Sequence, residues 1–131
     1  MSGLLLRISP NVSNDDLNTL FATAWENHQS TDFQPILSRS LLYICAYDAE
    51  TLVGFVNMAW DGGIHGFILD TTVHSAYQRR GIGVQLVETA VTAGRERGLR
   101  AIHVDYEPHL GDFYRACGFT HTEAGLILFD S

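Results

Sequence analysis

Two arginines and two glycines stand together in the middle of this chain, between a strand-like apolar run and a helix-like one. Gly81 and Gly83 carry no Cβ, so backbone N–H groups beside them can approach an anion closely. The helix that follows would point its first unpaired N–H groups and the positive end of its dipole at the same place. Arg79 and Arg80 add positive charge there. The spacing predicts a phosphate-binding turn, and an ordinary strand-to-helix turn is the alternative.

Composition limits the classes of protein to consider. A length of 131 residues, 46% of them hydrophobic, predicts one globular domain over 1–131. No apolar run reaches the roughly 18 residues that span a bilayer, and Arg7 and Pro10 come too early for a secretory leader, so we expect a cytoplasmic protein without a membrane partner. Cys45 and Cys117 lie far apart in apolar patterns, which favours reduced, buried thiols. A net charge of −7 argues against nucleic-acid binding and suits an amine substrate better.

Apolar periodicity assigns the elements that must position the turn. Ser13 signals the start of an amphipathic helix, and Gly98 and Gly118 are placed to end two later helices. Trp25 lies on the apolar stripe of the first helix, which predicts that it packs in the core; the alternative is that it lines a substrate pocket with Phe33 and Trp60. Strands are predicted over 4–8, 41–47, 52–60, 65–73 and 100–104, with a terminal hairpin over 119–122 and 126–130. That order fits neither a doubly wound fold nor a β-sandwich.

Two segments resemble the GNAT superfamily of acyl-CoA-dependent N-acyltransferases. The run Gln78-Arg79-Arg80-Gly81-Ile82-Gly83 matches the Q/R-x-x-G-x-G/A signature of that family. The run Phe113-Tyr114-Arg115-Ala116-Cys117-Gly118-Phe119 is similar to its later aromatic-Tyr…Gly-Phe element. The element order also agrees over nearly all of the chain. The resemblance implies an α/β (α+β) GNAT fold, with a central mixed, mostly antiparallel sheet flanked by helices.

The resemblance also implies acetyl-CoA as the cosubstrate and no metal. The pyrophosphate of coenzyme A would lie on the backbone amides of the signature, which opens at Gln78 and continues through Arg79, Arg80, Gly81, Ile82, Gly83 and Val84. The pantetheine arm would add to the end of the preceding strand like an extra strand, along Thr71, Thr72 and Val73.

Direct acetyl transfer needs a base for the amine, a donor for the oxyanion and a proton for the departing thiolate. Tyr114 lies where members of the family commonly have a tyrosine acid, and a phenol of pKa about 10 can protonate a thiolate as its charge develops. A packed aromatic side chain at a helix start is the alternative for this residue.

The base is less defined. His103, Asp105 and Glu107 alternate along one predicted strand and should share a face. By resemblance His103 occupies the position of a glutamate base, and its ordinary pKa suits work at neutral pH. Glu107 stands where many relatives have an asparagine, so the chain departs from the family there. Solvated polar residues and a metal site are alternatives for this group, and Asp70 is another base candidate or a strand cap.

These observations favour an N-acetyltransferase acting on a small-molecule amine or a protein amino group. A catalytically inactive acyl-CoA-binding sensor and a non-enzymatic interaction domain are the other classes. A homodimer is a further expectation, because the terminal hairpin could supply an edge strand to a second copy.

Overall fold

A computed structural model describes residues 4–129 and builds them around a five-stranded sheet with the strand order β1-β2-β3-β4-β5. The strands are β1 (Leu4–Ile8), β2 (Leu42–Asp48), β3 (Thr51–Trp60), β4 (His65–Val73) and β5 (Ala101–Val104). The first four form an antiparallel meander, and β5 alone runs parallel to its neighbour β4. The predicted mixed, mostly antiparallel sheet is therefore confirmed.

Over residues 4–129, four helices flank the sheet: α1 (Asn14–Ala24), α2 (Gln34–Arg39), α3 (Ile82–Glu96) and α4 (Gly111–Ala116). Short 3₁₀ turns at Ser75–Tyr77 and Pro108–Leu110 precede α3 and α4. The side chain of Ser13 accepts a hydrogen bond from the Asp16 N–H at 3.0 Å, which caps α1 as predicted. Gly98 and Gly118 have φ angles of 102° and 99°, so both helix ends use the left-handed conformation that favours glycine.

Each face of the sheet has its own core. Helix α3 buries the side that its periodicity predicts, namely Ile82, Leu86, Val87, Ala90, Ala93 and Gly94. This side packs against one face of the sheet, which includes Ile44, Val56 and Met58. Helices α1 and α2 pack against the opposite face, around Cys45 and Phe55. Burial raises the pKa of the Cys45 thiol to about 12, so this cysteine is an inert part of the core.

Two predictions from the sequence are wrong. Residues 119–129 form no strand, and Asp130 lies outside the described residues. The first half of the expected hairpin instead completes α4, because the Phe119 N–H donates to the Tyr114 carbonyl at 3.0 Å. Leu126–Phe129 consequently stay 68–87% exposed. Trp25 is 49% exposed rather than buried, because α1 ends at Ala24 and the backbone turns extended at Trp25.

Within residues 4–129, every helix is too short or too polar to cross a lipid bilayer.

Candidate active site

The second half of β4 separates from β5. Residues His65–Ile68 pair with Ala101–Val104, whereas the rest of β4 pairs only with β3. A bulge interrupts the β3 ladder at this point, and Asp70 within it has a φ of 58°. A bulge bends a strand and increases its twist, which moves the end of β4 away from its parallel neighbour. The backbone along Thr71–Val73 is thereby open to an extended ligand on the β5 side.

The turn before α3 presents free main-chain donors. Arg79 and Gly81 have φ angles of 65° and 80°, and nothing lies within 4 Å of the position that a Cβ on Gly81 would take. The first bond of the helix runs from the Gln85 N–H to the Gly81 carbonyl at 3.1 Å. Within residues 4–129, no acceptor satisfies the N–H groups of residues 79–84. Grouped amides at a helix start fit a diphosphate.

Gly83 has a second role that the sequence did not indicate. A Cβ at this position would lie 3.1 Å from Phe113 Cε1 and 3.7 Å from Val73 Cγ2. The first contact is tighter than ordinary van der Waals packing, so the missing Cβ lets three elements meet closely. The start of α3, the end of β4 and the start of α4 are thereby fixed relative to one another.

Arg80 is held beside the turn by a relay of side chains. Its guanidinium lies 5.1 Å from the centre of the Tyr77 ring, within the range of a cation–π contact. The Tyr77 hydroxyl donates to Asp48 Oδ2 at 2.6 Å. Gln78 faces the strand instead, because its side-chain amide donates to the Val73 carbonyl at 3.2 Å. No local pattern in the sequence connects Asp48 with Tyr77.

Tyr114 reaches the separated part of β4 from α4. Its hydroxyl donates to Thr71 Oγ1 at 3.4 Å, and the residue is only 6% exposed. The rings of Tyr106, Phe113 and Phe119 pack around it at centroid distances of 4.9, 4.8 and 5.8 Å. Burial raises the pKa of Tyr114, and the bond to Thr71 opposes that shift only in part. The phenol therefore carries its proton at neutral pH.

The three predicted base candidates do not share one strand. His103 stacks on Phe67 with a centroid distance of 5.0 Å, and its Nε2 lies 3.0 Å from His65 Nδ1. Phe67 precedes Thr71 by four positions, so His103, which stacks on Phe67, lies about 13 Å from Thr71 along the strand. Asp105 and Glu107 follow the end of β5 and are exposed, so His103 is the only one of the three within the strand.

Asp70 is the neighbour of Thr71, whose side chain accepts the hydrogen bond from Tyr114. It occupies the bulge directly before Thr71. The residue as a whole is exposed, yet the surrounding chain desolvates its carboxyl group and raises the pKa of Asp70. A carboxyl group with a raised pKa is a better base for an ammonium than a fully solvated one.

A tryptophan supports the bulge from the opposite face. The Trp25 indole N–H donates to Thr72 Oγ1 at 3.0 Å, and that hydroxyl donates to the Asp70 carbonyl at 3.0 Å. Thr72 is 2% exposed, so its side chain belongs to this support and only its backbone is open to a ligand. This link was not foreseen, because the sequence placed Trp25 in the core.

The described residues contain no group of three or more histidine, cysteine, aspartate or glutamate side chains arranged to hold a metal ion.

Comparisons with known proteins agree with the family resemblance found in the sequence. Residues 13–119 match the family described as "Acetyltransferase (GNAT) family". An uncharacterized N-acetyltransferase ycf52-like protein of Prochlorococcus marinus is 24% identical over 105 residues, which cover 77% of this chain and 58% of that relative. The chain thus spans little more than half the length of this relative.

Solved structures share the fold over almost the whole chain. A GNAT family acetyltransferase from Streptococcus pneumoniae superposes with a TM-score of 0.77 at 26% identity, covering 97% of this chain and 98% of the other. The aminoglycoside acetyltransferase AAC(6')-Iy, bound to the bisubstrate analogue CoA-S-monomethyl-acetylneamine, gives a TM-score of 0.78 at 20% identity, with 99% of each chain covered.

Proposed function

Because the chain belongs to the GNAT acetyltransferase family, we propose that it transfers an acetyl group directly from acetyl-CoA to a primary amine. One observation supports the proposal above all. The backbone of Thr71–Val73 has no partner in β5, the Tyr114 hydroxyl lies at Thr71, and the free amides of residues 79–84 follow shortly after this strand end. A diphosphate would need the free amides, an extended amide-containing arm would need the strand backbone, and a thioester would need the hydroxyl.

These three groups fit acetyl-CoA, which supplies an activated acetyl thioester. The N–H groups of Arg79, Arg80, Gly81, Ile82, Gly83 and Val84 would hold the diphosphate, since Gly81 faces open space. Arg80, fixed by Tyr77, adds positive charge beside it. The backbone of Thr71, Thr72 and Val73 would bind the arm, and a main-chain N–H near Val73 would donate to the developing oxyanion.

Tyr114 is the proposed acid. As the new C–N bond forms and the C–S bond breaks, the leaving thiolate takes the proton of the phenol. Burial keeps that proton in place at neutral pH by raising the pKa of Tyr114. The hydroxyl is held at Thr71, next to the backbone that would carry the thioester.

For the base we propose Asp70, which would take the proton that the amine nitrogen loses. It adjoins Thr71 in the bulge, and its pKa is raised by desolvation. Glu107, Asp105 and His103 remain candidates for relaying that proton onwards through water, because Asp105 and Glu107 are solvent-exposed after β5.

Two measurements test the proposal. Isothermal titration calorimetry should show stoichiometric binding of acetyl-CoA, and an amine panel with detection of free thiol should show thiol release that requires an acceptor. Binding without release for any amine would support the acyl-CoA-binding sensor instead. Absence of binding would contradict both.

Other parts of the prediction extend this proposal. Four predictions belong here: an acceptor that is a small-molecule amine or a protein amino group, a homodimer, a single domain over residues 1–131, and a cytoplasmic location.

A further inference from the structure

We propose that two copies of this chain exchange their segments Leu126–Phe129, and that each segment pairs as a strand with the free edge of β5 in the other copy. The product is a twofold homodimer in which each copy gives one segment and receives one. This inference goes beyond the proposed function and does not depend on acetyl transfer.

Strand β5 has a free edge. Its four residues, Ala101–Val104, pair with β4, and no other strand within residues 4–129 pairs with them. Neighbouring residues of a strand direct their N–H and C=O groups to opposite sides, so about half of these groups in β5 face away from β4. In the described part of the chain, no backbone hydrogen bond joins β5 to the residues that follow α4. The edge is therefore a template for a further strand.

The opposite edge of the sheet is less suited to pairing. Strand β1 carries the exposed Arg7 among its five residues, and a charged side chain on an edge strand opposes pairing with another chain. Strand β5 reads Ala-Ile-His-Val and contains no aspartate, glutamate, lysine or arginine. A second copy would therefore add to the sheet at β5 rather than at β1.

A cavity of about 730 Å³ runs along β5 and offers apolar surface to an added strand. Leu99, Ile102 and Val104 lie in its wall and are buried or half-buried. The charged side chains of the wall are all exposed and comprise two of each sign: Arg95, Arg100, Asp105 and Glu123. These groups can stay in water and give the cavity no net charge, so an uncharged apolar strand fits between them.

The segment Leu126–Phe129 has the length and the residue types for this edge. It has four residues, as β5 has, and four extended residues span about 13 Å in either strand. Its sequence Leu-Ile-Leu-Phe is uncharged, and its side chains are 68–87% exposed in the single chain. Contiguous apolar side chains with this exposure mark an interaction site more often than isolated ones do.

The path of the chain favours exchange over pairing with its own β5. Thr120, Thr122 and Ala124 lie in the wall of the cavity, whereas residues 125–129 lie outside it. The segment thus leaves the cavity after Ala124 instead of returning to the edge. A single copy holds one free edge and one unpaired segment, and reciprocal exchange between two copies satisfies both.

Sedimentation equilibrium over a wide concentration range tests the dimer. We expect a reversible dimer for the unmodified chain. Neighbouring strand residues face opposite sides of a sheet, so the double variant Ile127→Asp/Leu128→Asp places a carboxylate on each face of the added strand. It should raise the dissociation constant of the dimer by about tenfold or more.

The matched control is Leu5→Asp/Ile36→Asp. It also places two aspartates at exposed apolar positions, 47% and 41% exposed, but in β1 and α2. This variant should keep the dissociation constant of the unmodified chain. Far-UV circular dichroism verifies that both double variants are folded.

Crosslinking distinguishes exchange from pairing within one chain. His103→Cys and Leu128→Cys are made separately, each with Cys117→Ser, because Cys117 lies in the cavity wall. The two variants are co-expressed with different affinity tags and treated with a short bismaleimide. Exchange predicts a crosslinked heterodimer. Pairing within one chain predicts no heterodimer, and an internal crosslink when both cysteines stand in the same chain.

Three results would overturn the inference: a monomer at every concentration, a dimer that Ile127→Asp/Leu128→Asp leaves unchanged, or a crosslink within single chains alone. A dimer that Leu5→Asp/Ile36→Asp dissociates would place the contact at another surface and overturn it too. None of these measurements uses acetyl-CoA or an amine, so the proposed function is tested separately.

Discussion

Replacing Tyr114 by phenylalanine removes one oxygen atom and leaves the packed ring in place. The hydroxyl of Tyr114 donates to Thr71 at 3.4 Å, longer than an ordinary O–H···O bond. Losing so long a bond should lower the free energy of unfolding by less than about 1 kcal/mol. The rings of Tyr106, Phe113 and Phe119 still enclose the side chain, so the fold and the proposed acetyl-CoA site should be unchanged.

The expected effect on turnover is much larger. A positioned general acid contributes about 10²–10⁴-fold to a rate, which corresponds to about 2.7–5.5 kcal/mol of activation free energy. The rise in activation free energy expected from a catalytic role is therefore several times larger than the loss of stability expected from a structural role. We expect Tyr114→Phe to lower kcat by about two orders of magnitude or more, with the dissociation constant of acetyl-CoA changed by less than about threefold.

The pH profile adds an independent readout. Because burial raises the pKa of Tyr114 above its ordinary value of 10.0, the phenol keeps its proton until the pH exceeds that value. Activity should therefore decline on the alkaline side only as the pH rises through the raised pKa, and this decline should be absent from the residual activity of Tyr114→Phe.

Tyr106→Phe is the matched control. It also removes one hydroxyl, which lies 3.3 Å from His121 Nδ1, and it leaves the ring stacked on Tyr114. The assays are steady-state thiol release and calorimetry, run on both variants. The reasoning is refuted if Tyr114→Phe keeps normal kcat, or if kcat and acetyl-CoA affinity fall together.

Three further predictions concern the turn and the bulge. Gly81→Val should abolish acetyl-CoA binding in calorimetry by filling the open space before the amides, whereas Gly62→Val, with a similar φ of 85° and equally open surroundings, should bind normally. Trp25→Phe removes the donor to Thr72 and should lower kcat about tenfold through a displaced bulge; an unchanged kcat would contradict the support role. Because desolvation raises the pKa of Asp70 above 3.8, activity should fall as the pH drops through that raised value, and an identical acid limb in Asp70→Asn would exclude it as the base.

Local sequence signals were sufficient for the elements that carry the proposed cofactor site. Strand β4 has the predicted bounds 65–73, because its apolar run is limited by turn residues at one end and by the glycine signature at the other. The buried side of α3 also matches its periodicity residue for residue. Gly81 was singled out because it lacks a Cβ, and the space that a Cβ would take is open in the structure; its left-handed φ of 80° was not predicted. In these segments the decisive interactions lie within a few residues of each other.

Features that depend on distant partners could not be predicted. The relay from Asp48 through Tyr77 to Arg80 begins with a hydrogen bond between Asp48 and Tyr77, which are 29 residues apart in the sequence. Trp25 bonds a threonine 47 residues away, and its helical spacing pointed to the core only because the end of α1 was placed too late. Residues 119–122 have the residue types of a strand, but the contacts of Phe119 with Tyr114 outweigh this local preference.

The exposed segment Leu126–Phe129 should affect the half-life and the solubility of this protein in a cell. Four consecutive apolar side chains at 68–87% exposure form an apolar surface stretch of the kind that binds other proteins or aggregates. Such a stretch also promotes precipitation when the concentration is high. We therefore expect cellular half-life and soluble yield to respond to this segment strongly, and to increase when Leu128 is replaced by a charged residue.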